Sequence, residues 1–206
     1  YEVPDCEFLV CTDDAPRSPN VHNVPIFVMA KRLDQTYLTY PDHTFYEWAE
    51  ANTGPWDVER AAIAKANQHV MSVSQKNPKA FFRGNLTTAY IRQYLGEAVS
   101  RYPEDLDVHP VKVGDPSTID SKFVSLANHN KWKYLLHMPG ISYAARLKYL
   151  LHTNSVVLYV KKSKSFEFRE FWYDYLDQGA KCVMIHDRNV YDVNTNKRLK
   201  NPRTKK

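Results

Sequence analysis

Apolar positions along this chain change period several times, and the changes mark out its elements. Two short β-branched and aromatic runs come first, "CEFLVCT" (6–12) and "VPIFVMA" (24–30), separated by a loop rich in proline and asparagine. The period then turns helical across "WDVERAAIAKANQHVMSVSQ" (56–75), with Asp57 as its expected N-cap. From Lys79 onward strand and helix patterns alternate regularly. The strands are "KAFFRG", "DVHPVKV", "WKYLLHM", "SVVLYV" and "KCVMIHD". The intervening helices are expected at 88–102, about 119–127, 142–153 and about 167–177. Several of these strands are continuous apolar runs, the mark of strands buried on both faces. The pattern therefore predicts an α/β fold, a Rossmann-like parallel sheet with flanking helices.

Parallel sheets bind ligands at the carboxyl ends of their strands, and two strand ends here carry chemistry. In "MPGISYAAR" Gly140 ends a strand and Ser142 is a natural N-cap. The following helix would point unpaired N–H groups at an anion, with Arg146 leaning back to the same place. The alternative is an arginine that snorkels or pairs with a carboxylate. In "FFRGN" Arg83 and Gly84 end another strand, where a glycine permits close approach of a ligand or simply a structural turn. Asp13 and Asp14 in "CTDDAP" follow the first strand, as solvated turn residues or with one of them serving as a general base.

Composition narrows the class without choosing the ligand. The 206 residues are 43% hydrophobic and 13% aromatic, enough for a substantial core. A net charge of +5 favours an anionic partner, although much of the excess lies in the tail "KRLKNPRTKK". No apolar stretch approaches the ~20 residues of a membrane span, and the N-terminus has no signal-peptide pattern. The three cysteines, Cys6, Cys11 and Cys182, show neither CxxC nor Cys/His ligand spacing, which favours a reducing compartment. Asp105 and Asp107 form a DxD, the pattern with which metal-dependent GT-A glycosyltransferases hold a divalent cation. Here it sits at the start of an expected strand, on the wrong edge for a ligand. The histidines, His129 among them, lack metal-ligand spacing and are expected to be structural or superficial. A non-catalytic nucleotide- or nucleic-acid-binding module is the remaining alternative, and the charges are not interleaved with aromatics in a nucleic-acid motif.

The segments "CTDDAP", "PIFVMAK", "YPDHTF", "FFRGN", "KYLLHMPGISYAARLKYLLHTNSVVLYV" and "EFREFWYDYL", in this order, resemble glycosyltransferase family ninety, the Rumi-type protein O-glucosyltransferases and fungal capsule-associated xylosyltransferases. The resemblance implies an inverting, metal-independent enzyme of the GT-B kind that moves glucose or xylose from a UDP-sugar to a hydroxyl of a glycan or a protein serine. It implies a donor-binding portion over 79–188, an acceptor-side portion reduced to residues 1–78, and a basic tail at 189–206. By the same resemblance Asp14 is the counterpart of the catalytic base. Arg83, Gly84, Asn85 and Arg92 match one donor-binding stretch, and Gly140, Ser142, Tyr143, Ala144, Ala145 and Arg146 the other. Glu170 is expected at the uridine ribose. Two departures stand out. Asn85 replaces the usual serine and creates an N-glycosylation sequon at the donor site, which adds to the expectation of a cytoplasmic setting. The short N-terminal portion suggests either a minimal version of the family or one module of a larger protein.

Overall fold

The computed structural model describes residues 4–16, 25–69, 72–112, 122–161, 167–179 and 182–186. Its centre is a five-stranded sheet in which every pair is parallel. The strands are β5 (Asn77–Gly84), β6 (Leu106–Pro110), β7 (Trp132–His137), β8 (Val156–Lys161) and β10 (Cys182–His186). Their spatial order is β10-β8-β7-β5-β6. The chain leaves β5 in one direction to make β6, then crosses back to add β7, β8 and β10 on the other side. Between β5 and β7 lies the topological switch point, where strand-end loops diverge and leave a crevice. This arrangement is consistent with the Rossmann-like class.

Successive residues of these strands bury into two separate cores, which explains their unbroken apolar runs. On one face Phe81, Leu135, Val157 and Tyr159 pack with α3 (Leu147–Leu150) and α4 (Tyr173–Gly179). On the other, Phe82, Val108, Leu136 and Met138 pack with Ile91 and Leu95 of α2 (Tyr90–Arg101). The amino-terminal part forms a smaller parallel sheet of β1 (Leu9–Cys11), β2 (Ile26–Val28) and β4 (Leu38–Thr39), in the order β1-β2-β4. Between the two sheets in sequence, α1 (Trp56–Gln68) packs against the 3-10 segment Leu126–Lys131.

The elements differ from the sequence pattern in instructive places. The helix expected at 142–153 is a single α turn, Leu147–Leu150, and Ser142 is not its cap; Arg146 occupies the N-cap position. Gly140 N–H donates forward to the Tyr143 carbonyl at 3.3 Å, the opposite sense to a helical bond, so the chain is looped before a helix can begin. The helix expected near 167–177 starts only at Tyr173. Here β9 (Phe168–Arg169) pairs antiparallel with β3 (Lys31–Arg32) and holds the preceding residues extended. Helix α1 ends at Gln68 and its N-cap is Pro55, with Asp57 inside the first turn. Of the helix expected at about 119–127, residues 119–121 lie outside the described residues, while 123–125 are not helical and lead into the 3-10 segment Leu126–Lys131, with Ser125 extended at its N-cap. The basic tail lies outside the described residues.

Candidate active site

A cleft of about 480 Å³ opens at the carboxyl edge of the large sheet, over the switch point. The fold brings Asp14 from the end of β1, Arg83 to Asn85 from the end of β5, and Arg92 from α2 into its wall. Gly140 and the run from Ser142 to Arg146, which follow β7, complete that wall. Of the residues that the resemblance assigns to the site, Glu170 alone does not line the cleft, and Asp13, Asp105 and Asp107 also lie outside its lining.

Three arginines meet here, and their hydrogen bonds divide them by role. Arg83 turns aside: its Nη2 lies 2.8 Å from Asp107 Oδ1, its Nε donates to the Lys122 carbonyl at 3.0 Å, and its Nη1 donates to the Asp107 carbonyl at 2.9 Å. Arg92 is a clamp between the two strand-end loops. It donates to the carbonyls of Met138 (2.9 Å) and Pro139 (3.1 Å) on one side, and to the Asn85 carbonyl (3.2 Å) and Thr88 Oγ1 (3.1 Å) on the other. Arg146 donates to the Arg83 carbonyl and, among the described residues, meets no carboxylate. Both Arg92 and Arg146 lie over the Phe82 ring, 5.5 Å and 4.9 Å from its centroid. Burial, with the Arg146 charge second, pushes Arg92 down to about 9, and burial pushes Arg146 down to about 10. Each remains a cation at neutral pH, so the switch point holds positive charge with donors to spare.

Gly84 makes the seat for that charge. Its φ is 154°, and a Cβ there would come within 2.7 Å of Arg146 Nη2 and 3.2 Å of the Phe82 ring. Asn85 Oδ1 accepts from Thr87 N and Thr87 Oγ1, both at 2.8 Å, so the residue forms a local turn with its amide nitrogen outside that pair of bonds.

Adjoining the wall, with Thr44 and Tyr149 in the lining itself, is a buried polar cluster that the sequence did not announce. Asp42 Oδ1 accepts from Thr44 N (3.1 Å), Thr44 Oγ1 (2.6 Å) and Lys148 Nζ (3.3 Å). Tyr149 OH donates to the Thr44 carbonyl at 2.7 Å. Lys148 and Tyr149 follow Arg146 closely in α3, so this cluster ties the arginine's helix to the segment beginning at Asp42. Glu170 belongs to the cluster's edge: Oε2 accepts from Trp172 Nε1 at 3.0 Å, while Oε1 is buried without a partner, and burial pushes its carboxyl up to about 7. Tyr143 bridges cluster and cleft, with a phenol held protonated chiefly by burial and then by the charge of Asp42. His129, expected to be structural or superficial, lines the cleft; its Nδ1 lies 2.8 Å from the Ser125 carbonyl, and burial pushes it down to about 4, so it is neutral near pH 7. In β6, the Asp107 carboxylate receives Trp132 Nε1 at 2.8 Å as well as Arg83, and among the described residues no three His, Cys, Asp or Glu side chains gather as a metal site.

A half-buried arginine with no carboxylate partner among the described residues, at the switch point of a parallel sheet and in one cleft with the Asp14 side chain, defines an α/β protein with a positively charged cleft at the carboxyl edge of its sheet. Residues 1–204 match the model of glycosyl transferase family 90, and the chain belongs to that family. It is 28% identical over 202 residues to Protein O-glucosyltransferase 1 of Bos taurus, covering 89% of this chain and 49% of that protein. It is 29% identical over 200 residues to O-glucosyltransferase rumi of Drosophila melanogaster, covering 89% of this chain and 47% of the relative. The corresponding rumi protein of Drosophila pseudoobscura pseudoobscura is 30% identical over 200 residues. The chain thus spans about half the length of the curated relatives it matches. No helix among the described residues is long and apolar enough to cross a membrane.

Proposed function

We propose that this chain carries the donor site and catalytic base of an inverting glycosyltransferase that moves glucose or xylose from a UDP-sugar to an acceptor hydroxyl. The observation that carries the reading is Arg146, seated over Gly84 at the switch point without a carboxylate partner among the described residues, in one cleft with Asp14. Arg146 and the loop from Gly140 to Ala145 hold the diphosphate, and Arg92 fixes the loops that frame it. Asp14 takes the proton of the acceptor hydroxyl as that oxygen bonds to the anomeric carbon. The bond from that carbon to the UDP β-phosphate oxygen breaks in line, which inverts the configuration. Fixed positive charge stabilises the departing UDP, and such groups account for a rate factor on the order of 10² to 10³ each. The names of the relatives favour glucose as the donor sugar.

In this reading no metal takes part, and Asp107 supports it because its carboxylate is already engaged by Arg83 and Trp132. The 79–188 portion acts as the donor lobe of a GT-B arrangement, and residues 1–78 supply the acceptor side. The deciding experiment is a calorimetric titration with UDP in EDTA, followed by transfer assays. Wild type and Asp14→Asn bind UDP alike, Asp14→Asn transfers no sugar, and Arg146→Ala loses UDP. Retained transfer by Asp14→Asn rejects the base, and UDP binding that requires a divalent cation rejects the metal-free site.

A further inference from the structure

Part of the cleft is formed by a small closed hairpin, Trp48 to Thr53. Trp48 N–H donates to the Thr53 carbonyl at 2.9 Å, and Thr53 N–H returns to the Trp48 carbonyl at 3.1 Å. A 3-10 turn, Ala49–Ala51, fills the bend, and Asn52 closes it at φ 49°. Gly54 N–H is held by Glu59 Oε1 at 2.9 Å, which braces the hairpin's exit. With its rungs closed, the hairpin offers side chains: Trp48, Glu50 and Thr53 line the cleft that Asp14 and His43 also line. The His43 ring meets the indole edge-on, with centroids 5.5 Å apart and planes at 82°.

We propose that this hairpin is the acceptor subsite and that the acceptor it takes is a pyranose, a carbohydrate hydroxyl rather than a serine of a protein. The proposal rests on the reading of the cleft as a UDP-sugar site with Asp14 as base. A pyranose presents an apolar C–H face and a rim of hydroxyls. A half-buried indole supplies the first complement, since an aromatic face is weakly negative. Glu50 supplies the second, since a carboxylate only accepts and makes strong charge-assisted bonds to hydroxyl donors. Charge sorts the two substrates: Arg146 attracts the anionic donor, while Asp14 and Glu50 leave the neutral polyol as the fitting occupant beside them. A peptide strand is recognised by unpaired backbone groups at a sheet edge, and the hairpin's are paired with each other.

The test offers UDP-glucose and UDP-xylose with 4-nitrophenyl α- and β-pyranosides of glucose, galactose, mannose and xylose, and separately with a serine-containing peptide. Transfer to at least one pyranoside and none to the peptide is expected. For that pyranoside, Trp48→Ala and Glu50→Gln each raise the acceptor KM by about tenfold or more, the scale of one lost charge-assisted contact, with UDP affinity unchanged. Trp48→Phe, which keeps a ring face, recovers most of the loss. Glu50 is exposed, so Glu50→Gln reports on the subsite even if the tryptophan variant folds poorly. Transfer to the peptide alone, transfer to neither, or an unchanged acceptor KM in both variants overturns the proposal while UDP binding still stands. Loss of the donor reading itself shows separately, as no UDP binding to the wild type by calorimetry.

Discussion

Replacing Gly84 with alanine tests the donor site without touching the arginine that is said to form it. The new Cβ would sit 2.7 Å from Arg146 Nη2 and 3.2 Å and 3.3 Å from two Phe82 ring atoms, on a backbone at φ 154° that side chains rarely adopt. The backbone conformation costs about 1–3 kcal/mol, and forcing a methyl into packed surroundings costs about 1–3 kcal/mol more. Domains of this kind have about 5–15 kcal/mol in hand, so most of the protein stays folded at 25 °C. The guanidinium yields before the Phe82 ring does, because Phe82 is fixed in the core that α2 covers. Moving Arg146 off the diphosphate forfeits a charged hydrogen bond of about 1.5–3 kcal/mol, roughly 10- to 150-fold in Kd. Calorimetric titration with UDP reads the affinity and urea unfolding reads the stability. Gly96→Ala is the control: its Cβ would meet only Leu86 Cδ1 at 3.5 Å inside α2, and it should stabilise by about 0.5–1 kcal/mol with UDP binding intact. A Gly84→Ala protein that binds UDP as tightly as wild type refutes the argument. So does an affinity loss of the same size when Gly84→Ala is added to Arg146→Ala, because the two changes act through one contact.

Arg92→Ala and Arg146→Ala should fail differently. Removing Arg92 strips partners from three carbonyls, two of them bonded in buried surroundings, and destabilises the fold by about 3 kcal/mol or more, whereas Arg146→Ala loses UDP with a modest change in Tm; equal Tm losses contradict the division of roles. Glu170 carries a pH signature. Its folded carboxyl is raised to about 7 from 4.5, so the folded state binds the proton more tightly, and stability falls as pH rises through that window. Glu170→Gln should therefore stabilise the protein progressively between pH 5 and 8, by up to about 3 kcal/mol, and a pH-independent difference in Tm refutes the assignment.

The large sheet was legible because each strand buries both faces, so that "FF", "LL" and "VVLY" read as runs whichever core they enter. The cleft residues were legible because they follow those strands directly, and the switch point collects strand ends by topology. What failed was the geometry between strand and helix. Ser142 looks like a cap, but the reversed bond from Gly140 to Tyr143 winds the loop differently, a tertiary outcome that local pattern does not encode. The pairing of Phe168–Arg169 with Lys31–Arg32 likewise overrode a helical period, since it joins segments far apart in sequence. The same distance hid the Asp42 and Lys148 contact, whose partners are 106 residues apart. "YPDHTF" marked the segment, yet nothing in it says which basic residue it meets.

Because α3 is one turn long, the proposed anion site does not draw on a long helix dipole, and its charge comes from guanidinium groups. That choice has a thermodynamic consequence. Arg92 and Arg146 are both withdrawn from water, and the Arg146 charge disfavours the charge on Arg92, so in the proposed site they form a pair that a bound diphosphate would neutralise. Ligand binding should then appear as stability. At a hundredfold excess over Kd, UDP adds about 2.7 kcal/mol, a Tm rise of roughly 5–10 °C for a chain of this size. Inorganic pyrophosphate, which has the charge without the nucleoside, should give part of that rise, and its effect should weaken as salt is added. Arg146→Ala should abolish the shift from both. A UDP shift with none from pyrophosphate at any concentration would place the affinity in the nucleoside and remove the arginine pair from its central role.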